Sequence, residues 1–183
     1  MKYKYNSSEV KPLLTKYPKR IVLIGFATGY KTSVGKLLAS RLNCAFVDTD
    51  AQIENTLASS VQQIFETYGE EYFRQAESKL LRQLNEDNIV VACGGGSVLA
   101  DGFDEFARDS IVIWLTVEAA TVRSRLGNTQ RPLFDKLTVE ELEAYINKRA
   151  PLYAKYASVK FSTDGKTPQE VTAQVYDWLR RLL

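Results

Sequence analysis

The stretch Gly25-Phe26-Ala27-Thr28-Gly29-Tyr30-Lys31-Thr32 constrains this chain more than any other. It follows the apolar run Ile21-Val22-Leu23-Ile24 and opens a segment, residues 32–42, in which Val34, Leu37, Leu38 and Leu42 recur on one helical face. Strand, tight loop and helix in that order form a setting in which backbone N–H groups and a helix N-terminus hold phosphates. A lysine then reaches the β and γ oxygens, and a hydroxyl serves Mg²⁺. Against the pattern G-x-x-x-x-G-K-[ST], Gly25, Lys31 and Thr32 match, while Tyr30 stands where the second glycine belongs. An ordinary strand-to-helix connection holding two glycines and a lysine is the alternative, and the loop alone does not separate the two.

A chain of 183 residues with 45% hydrophobic content suits one domain with a sizeable core. There is no histidine, so a general acid or base must be a carboxylate, lysine, tyrosine or cysteine. Serine–histidine catalysis and histidine metal sites are excluded. Cys44 and Cys93 lie far apart and lack metal-ligand spacing, which points to reduced thiols packed as small core residues in a cytoplasmic protein. No apolar run approaches the roughly 18 residues of a membrane span, and no signal-peptide core follows the start, so no membrane partner is expected. Residues 1–20 carry Lys2, Lys4, Lys11, Lys16, Lys19 and Arg20 against Glu9, a charge of +5 that leaves about −3 for the remainder. Without a second basic stripe this reads as a solvated N-terminal extension, and no nucleic-acid partner is expected.

Further along, Ala45-Phe46-Val47-Asp48-Thr49-Asp50 is an apolar run ending in two carboxylates two residues apart. At strand period both point to one side at the carboxyl end of the strand, where open α/β sheets bind ligands, so that one acid serves a metal and the other a substrate. A pair of aspartates capping the next helix is the other reading. Residues 51–84 read as helical, with breaks near Ala58-Ser59-Ser60 and at Gly69. Arg74 and Glu77 stand at i, i+3 and pair either as a surface ion pair or so that Glu77 steadies a guanidinium for a substrate carboxylate. Ile89-Val90-Val91-Ala92 is a short buried strand running into Gly94-Gly95-Gly96, where a ligand or a neighbouring helix comes close to the backbone. Ile111-Val112-Ile113-Trp114-Leu115 is another central strand, followed by a helix over 118–126. The polar stretch 127–133 presents Arg131, suited to a lid that neutralises a transferring phosphoryl group. Residues 139–156 return to helix with an interruption at Arg149-Ala150-Pro151-Leu152-Tyr153, 159–161 form the last strand, and a helix over 169–183 closes on Val171, Val175, Trp178, Leu179 and Leu182. Five apolar strands alternating with helices predict a three-layer α/β/α domain on a parallel sheet.

From Ile21 onward the chain resembles shikimate kinase. The carriers are Gly25-Phe26 with Lys31-Thr32-Ser33-Val34-Gly35-Lys36, Phe46-Val47-Asp48-Thr49-Asp50 with Ile53-Glu54, and Ile64-Phe65, Gly69-Glu70, Phe73-Arg74 and Glu77. Gly94-Gly95-Gly96, Arg131-Pro132-Leu133 and Arg149-Ala150-Pro151-Leu152-Tyr153 complete the set in the family's order. The resemblance implies a five-stranded P-loop fold of the nucleoside-monophosphate-kinase kind. It spans 21–183 as one kinase domain, with a substrate-binding helical region at about 51–84 and a lid at about 127–138. It implies ATP-dependent phosphorylation of the 3-hydroxyl of shikimate, with Mg²⁺ as cofactor, shikimate and ATP as small-molecule partners, and a monomeric protein. ATP phosphates would meet Gly25, Ala27, Thr28, Gly29, Tyr30, Lys31, Thr32, Ser33 and Arg131, with Thr32 and Asp48 serving the metal. Asp50, Arg74, Gly94, Gly95, Gly96 and Arg149 would bind shikimate, and Lys31, Asp50 and Arg131 would act in catalysis.

The family's loop normally carries glycine at the positions of Thr28 and Tyr30. A bulky residue held at positive φ costs about 1–2 kcal/mol, and its side chain could crowd the β-phosphate. A weakened hold on ATP or a shifted loop is therefore expected, with Gly29 absorbing the unusual dihedral. Two alternatives stand beside an active kinase: a shikimate-binding protein with impaired nucleotide handling, and a kinase of another hydroxy acid such as gluconate.

Overall fold

The protein is described here by a computed structural model covering residues 20–127, 134 and 136–182. The short apolar runs become β1 (Arg20–Ile24), β2 (Ala45–Asp48), β3 (Ile89–Ala92), β4 (Ser110–Thr116) and β5 (Val159–Ser162). They stand in the order β2-β3-β1-β4-β5, and each neighbouring pair is parallel. β1 is buried along its whole length because helices cover both faces of the sheet, and this is why it reads as an uninterrupted apolar run. Strand alternation divides it: Ile21 and Leu23 enter one core cluster, Val22 and Ile24 the other.

The first face is covered by α1 (Lys31–Leu42) and α7 (Pro168–Arg181), whose Val34, Leu38, Val171, Val175 and Leu179 meet in one cluster. The second receives α3 (Val61–Gln83), α4 (Phe103–Arg108) and α6 (Val139–Tyr156) through Leu81, Phe103 and Tyr153. α2 (Thr49–Leu57) packs on α3 through Ile53, Ile64 and Phe73, and α5 (Ala119–Leu126) meets α6 around Val122 and Leu142. Capping boxes start α3 at Ser60 with Gln63, α6 at Thr138 with Glu141 and α7 at Thr167 with Glu170. In each, side chains satisfy backbone donors that the first turn leaves without partners.

Several local expectations are corrected, and two short elements are added. β2 ends at Asp48, which caps α2 by accepting from the Ala51 N–H at 3.2 Å, and Asp50 lies in the first helical turn; strand alternation therefore does not relate the two acids. α6 runs unbroken through Pro151, because Arg149 and Tyr153 on either side of it both bond the carbonyl of Gly95 and hold the helix in place. α4 and the 3-10 turn Ser97–Leu99 are too short to leave a periodic signal in sequence. Leu182 follows the end of α7 and is exposed rather than packed on its apolar face. The break at Gly69 is present as a left-handed kink inside α3, with φ 83°. Arg20, counted with the basic extension of residues 1–20, is instead buried as the first residue of β1, its Nη1 donating to the Leu84 carbonyl; residues 1–19 lie outside the described residues.

Leu38 is fully buried where α1 meets the sheet. Leu38→Ala is expected to lower unfolding free energy by about 2–5 kcal/mol in urea titration.

Candidate active site

The loop between β1 and α1 is moulded by its neighbours. Gly25 has φ 139°, and a Cβ there would overlap the carbonyl oxygen of Leu115 at the end of β4, so only glycine fits. Gly29 does not take up the unusual dihedral, contrary to expectation. Thr28 (φ 59°) and Tyr30 (φ 61°) are the left-handed residues, at about 1–2 kcal/mol each. Gly29 is small for another reason: a Cβ would stand 3.1 Å from the Phe26 carbonyl and 3.4 Å from that of Leu115. The Tyr30 ring packs against the cluster of α1 and α7, with the Arg125 guanidinium 3.7 Å above its centroid. Lys31 follows at the first position of α1 and donates from Nζ to the Phe26 carbonyl at 2.8 Å.

Thr32 is next in the helix, and its hydroxyl donates to Asp48 Oδ2 at 2.6 Å. The donor set here is a hydroxyl and a carboxylate, hard oxygens suited to Mg²⁺ that keeps several waters and shares phosphate ligands. Among the described residues no cluster of three acidic, cysteine or histidine side chains forms a protein-only metal cage. The pair fits a metal that arrives with its nucleotide.

Beyond β3 the backbone of Gly94-Gly95-Gly96 is the meeting point of the remaining groups. A Cβ at Gly94 would overlap Asp50 Oδ1 and approach Glu77 Oε1 to 3.2 Å, and one at Gly96 would overlap the Arg74 guanidinium. Arg149 Nη1 and the Tyr153 hydroxyl both donate to the Gly95 carbonyl, at 2.9 and 2.6 Å. The same glycine faces the phosphate loop, since a Cβ there would lie 3.7 Å from the Ala27 nitrogen and 3.8 Å from the Gly25 oxygen. Asp50, Arg74, Arg149 and the loop thus converge on one crevice at the carboxyl ends of β1 and β3.

Glu77 is completely buried. It accepts from Arg74 Nη1 at 2.7 Å through Oε2, and from the Ser97 hydroxyl through Oε1. Glu70 takes the opposite edge of the same guanidinium, with Nη2 to Oε1 at 2.9 Å. Burial opposes the charge on Arg74, but Glu77 and Glu70 together raise its pKa. Burial also pushes the Cys93 thiol well above its usual range, reinforced by Glu77, Asp50 and Asp48 and opposed by Lys31. Cys93 is a buried residue as expected, whereas Cys44 is only partly buried. Tyr153, buried beside Arg149, has its phenol pushed up to about 12 and stays a donor at neutral pH.

Of the residues singled out from sequence, Arg131 lies outside the described residues. Ser33, beside Thr32 in the first turn of α1, is exposed. Tyr153, Thr49 and Ser97 had no role assigned from sequence; Thr49, fully buried, accepts the Gly94 N–H at 2.9 Å and fixes the glycine run to α2. Tyr153 is one helical turn from Arg149, a spacing that could have flagged it.

A parallel sheet in this order, with a phosphate loop entering α1 and an aspartate beside its threonine, defines a P-loop kinase of the nucleoside-monophosphate-kinase kind. The family model for shikimate kinase matches residues 28–180. A shikimate kinase of Sulfurihydrogenibium sp. (strain YO3AOP1) is 35% identical over 166 residues, covering 89% of this chain and 99% of the relative. That of Symbiobacterium thermophilum is 39% identical over 166 residues, covering 87% and 95%. The solved shikimate kinase of Acinetobacter baumannii, in complex with shikimate, superposes with a TM-score of 0.85 at 28% identity, covering 94% of this chain and 97% of the other. The chain belongs to the shikimate kinase family.

Removing the buried carboxylate leaves the Ser97 hydroxyl without its acceptor and Arg74 with only its exposed partner. Glu77→Ala is expected to lose about 2–4 kcal/mol of unfolding free energy, read by urea denaturation.

Proposed function

We propose that this protein transfers the γ-phosphoryl group of ATP to the 3-hydroxyl of shikimate, releasing shikimate 3-phosphate and ADP. The observation that carries the reading is the convergence of Asp50, Arg74 and Arg149 on the Gly94-Gly95-Gly96 backbone, directly beside the phosphate loop. Membership of the family, and the shikimate bound to the Acinetobacter baumannii relative, support the acceptor.

In this reading the N–H groups of the loop and the N-terminus of α1 bind the ATP phosphates. Lys31 exchanges the Phe26 carbonyl for β and γ oxygens when nucleotide arrives. Thr32 and Asp48 would hold Mg²⁺, which would supply charge neutralisation on the phosphates. Arg74 and Arg149 clamp the acceptor carboxylate, while Asp50 orients the 3-hydroxyl and accepts its proton as the oxygen bonds to phosphorus and the β–γ bridge breaks toward ADP. Glu77 holds the Arg74 fork still, so less side-chain freedom is lost on binding. Arg131 supplies the lid cation from about 127–138, α2 and α3 form the acceptor-binding region, and the protein acts as a cytoplasmic monomer. Phosphoryl transfer asks mainly for alignment and fixed charge, so a chain without histidine has what it needs.

A coupled assay with shikimate and MgATP tests this directly: ADP release that depends on shikimate is expected, and its absence overturns the activity. Gluconate and quinate in the same assay test the acceptor, with little or no turnover expected. Asp50→Asn is expected to reduce kcat by about 100-fold or more while MgADP still binds in calorimetry.

A further inference from the structure

The pattern of a phosphate loop puts glycine where this chain has Tyr30, yet Tyr30 and Thr28 both hold left-handed backbone with Gly29 between them outside that region. One side chain touches both. Arg125, in the last turn of α5, donates from Nη1 to the Thr28 carbonyl at 3.0 Å and lays its guanidinium 3.7 Å over the Tyr30 ring. The same fork is anchored on Thr163: Nη1 also donates to its Oγ1 at 3.0 Å and Nη2 to its carbonyl at 2.7 Å. Thr163 is itself completely buried and tied to β4, since its N–H and its hydroxyl both reach the Thr116 carbonyl at 3.0 Å.

We propose that Arg125 is a positioning residue for the phosphate loop, performing through side-chain contacts what glycine performs through backbone freedom. A planar, always-charged fork bonds a carbonyl and stacks on a ring at once, which a lysine ammonium does not do. The bond to Thr28 fixes the carbonyl on one side of Gly29, and the stack fixes the side chain on the other. Together they hold the loop's N–H groups in a phosphate-binding arrangement despite two residues that disfavour it. Tyr30 is thereby drawn toward α5 and the core instead of the crevice.

The proposal rests on the nucleotide-binding reading above, and its test keeps the two apart. MgADP affinity and the KM values for ATP and shikimate are measured for the parent chain, for Arg125→Ala and Arg125→Lys, and for each change in a Thr28→Gly/Tyr30→Gly background. Arg125→Ala is expected to weaken MgADP binding and raise the ATP KM by about 10- to 100-fold, the loss of a charged hydrogen bond plus a stack, with the shikimate KM within about twofold of the parent. Arg125→Lys is expected to recover only part of that loss. In the glycine background Arg125→Ala is expected to cost under about threefold, because the loop no longer needs holding. An equal penalty in both backgrounds overturns the positioning role in favour of direct contact with nucleotide. Parent-like MgADP affinity in Arg125→Ala overturns it outright. A parent chain that binds no MgADP overturns the nucleotide reading and the proposal with it.

Discussion

The ion pair between Glu77 and Arg74 is the interaction on which the glycine-run side of the crevice depends. A carboxylate with no exposed surface is tolerated only when its lone pairs are met, and here Arg74 and Ser97 meet them. Because Ser97 opens the turn after β3 and Glu77 stands on α3, the bond between them fixes a helix to the end of a strand, and the ion pair within α3 holds Arg74 beside that junction. The space between them is then so narrow that Gly94 and Gly96 admit no side chain. Glycine at these positions follows from the charges packed around them.

The side formed by the loop after β1 is built by different means. Sheet order sets β1 between β3 and β4, so the chain leaves β1 through the loop while β3 delivers its glycine run alongside. Open α/β sheets bind ligands at such carboxyl ends. Close approach to β4 dictates Gly25 and the Phe26 carbonyl crowds Gly29, whereas Thr28 and Tyr30 are held in place by packing and by Arg125. A loop lacking one glycine of its motif is in this way stabilised by contacts outside the motif.

Most of the sheet was legible in the sequence because strands buried on both faces appear as unbroken apolar runs, and Ile21-Val22-Leu23-Ile24 is such a run. The phosphate loop was legible from three matching positions and their strand–helix setting. Asp48 and Asp50 were harder: period-two reasoning carried the strand past Asp48, where capping of the Ala51 N–H already begins a helix. Pro151 misled for a related reason, since tertiary bonds to Gly95 support a helix that local preference would end. Arg125 left no trace, because the bond that matters joins residues 97 positions apart.

The bend at Gly69 divides α3 into two spans with different attachments. Nothing stands within 4 Å of where a side chain would begin at Gly69, so steric crowding does not impose the turn. Upstream, Ile64 belongs to the small cluster shared with α2; downstream, Leu81 reaches the main core beneath the sheet. Arg74 rides on the downstream span, whose Phe73 packs back on Ile53 and Ile64, so the guanidinium is referenced both to the sheet and, across the bend, to α2.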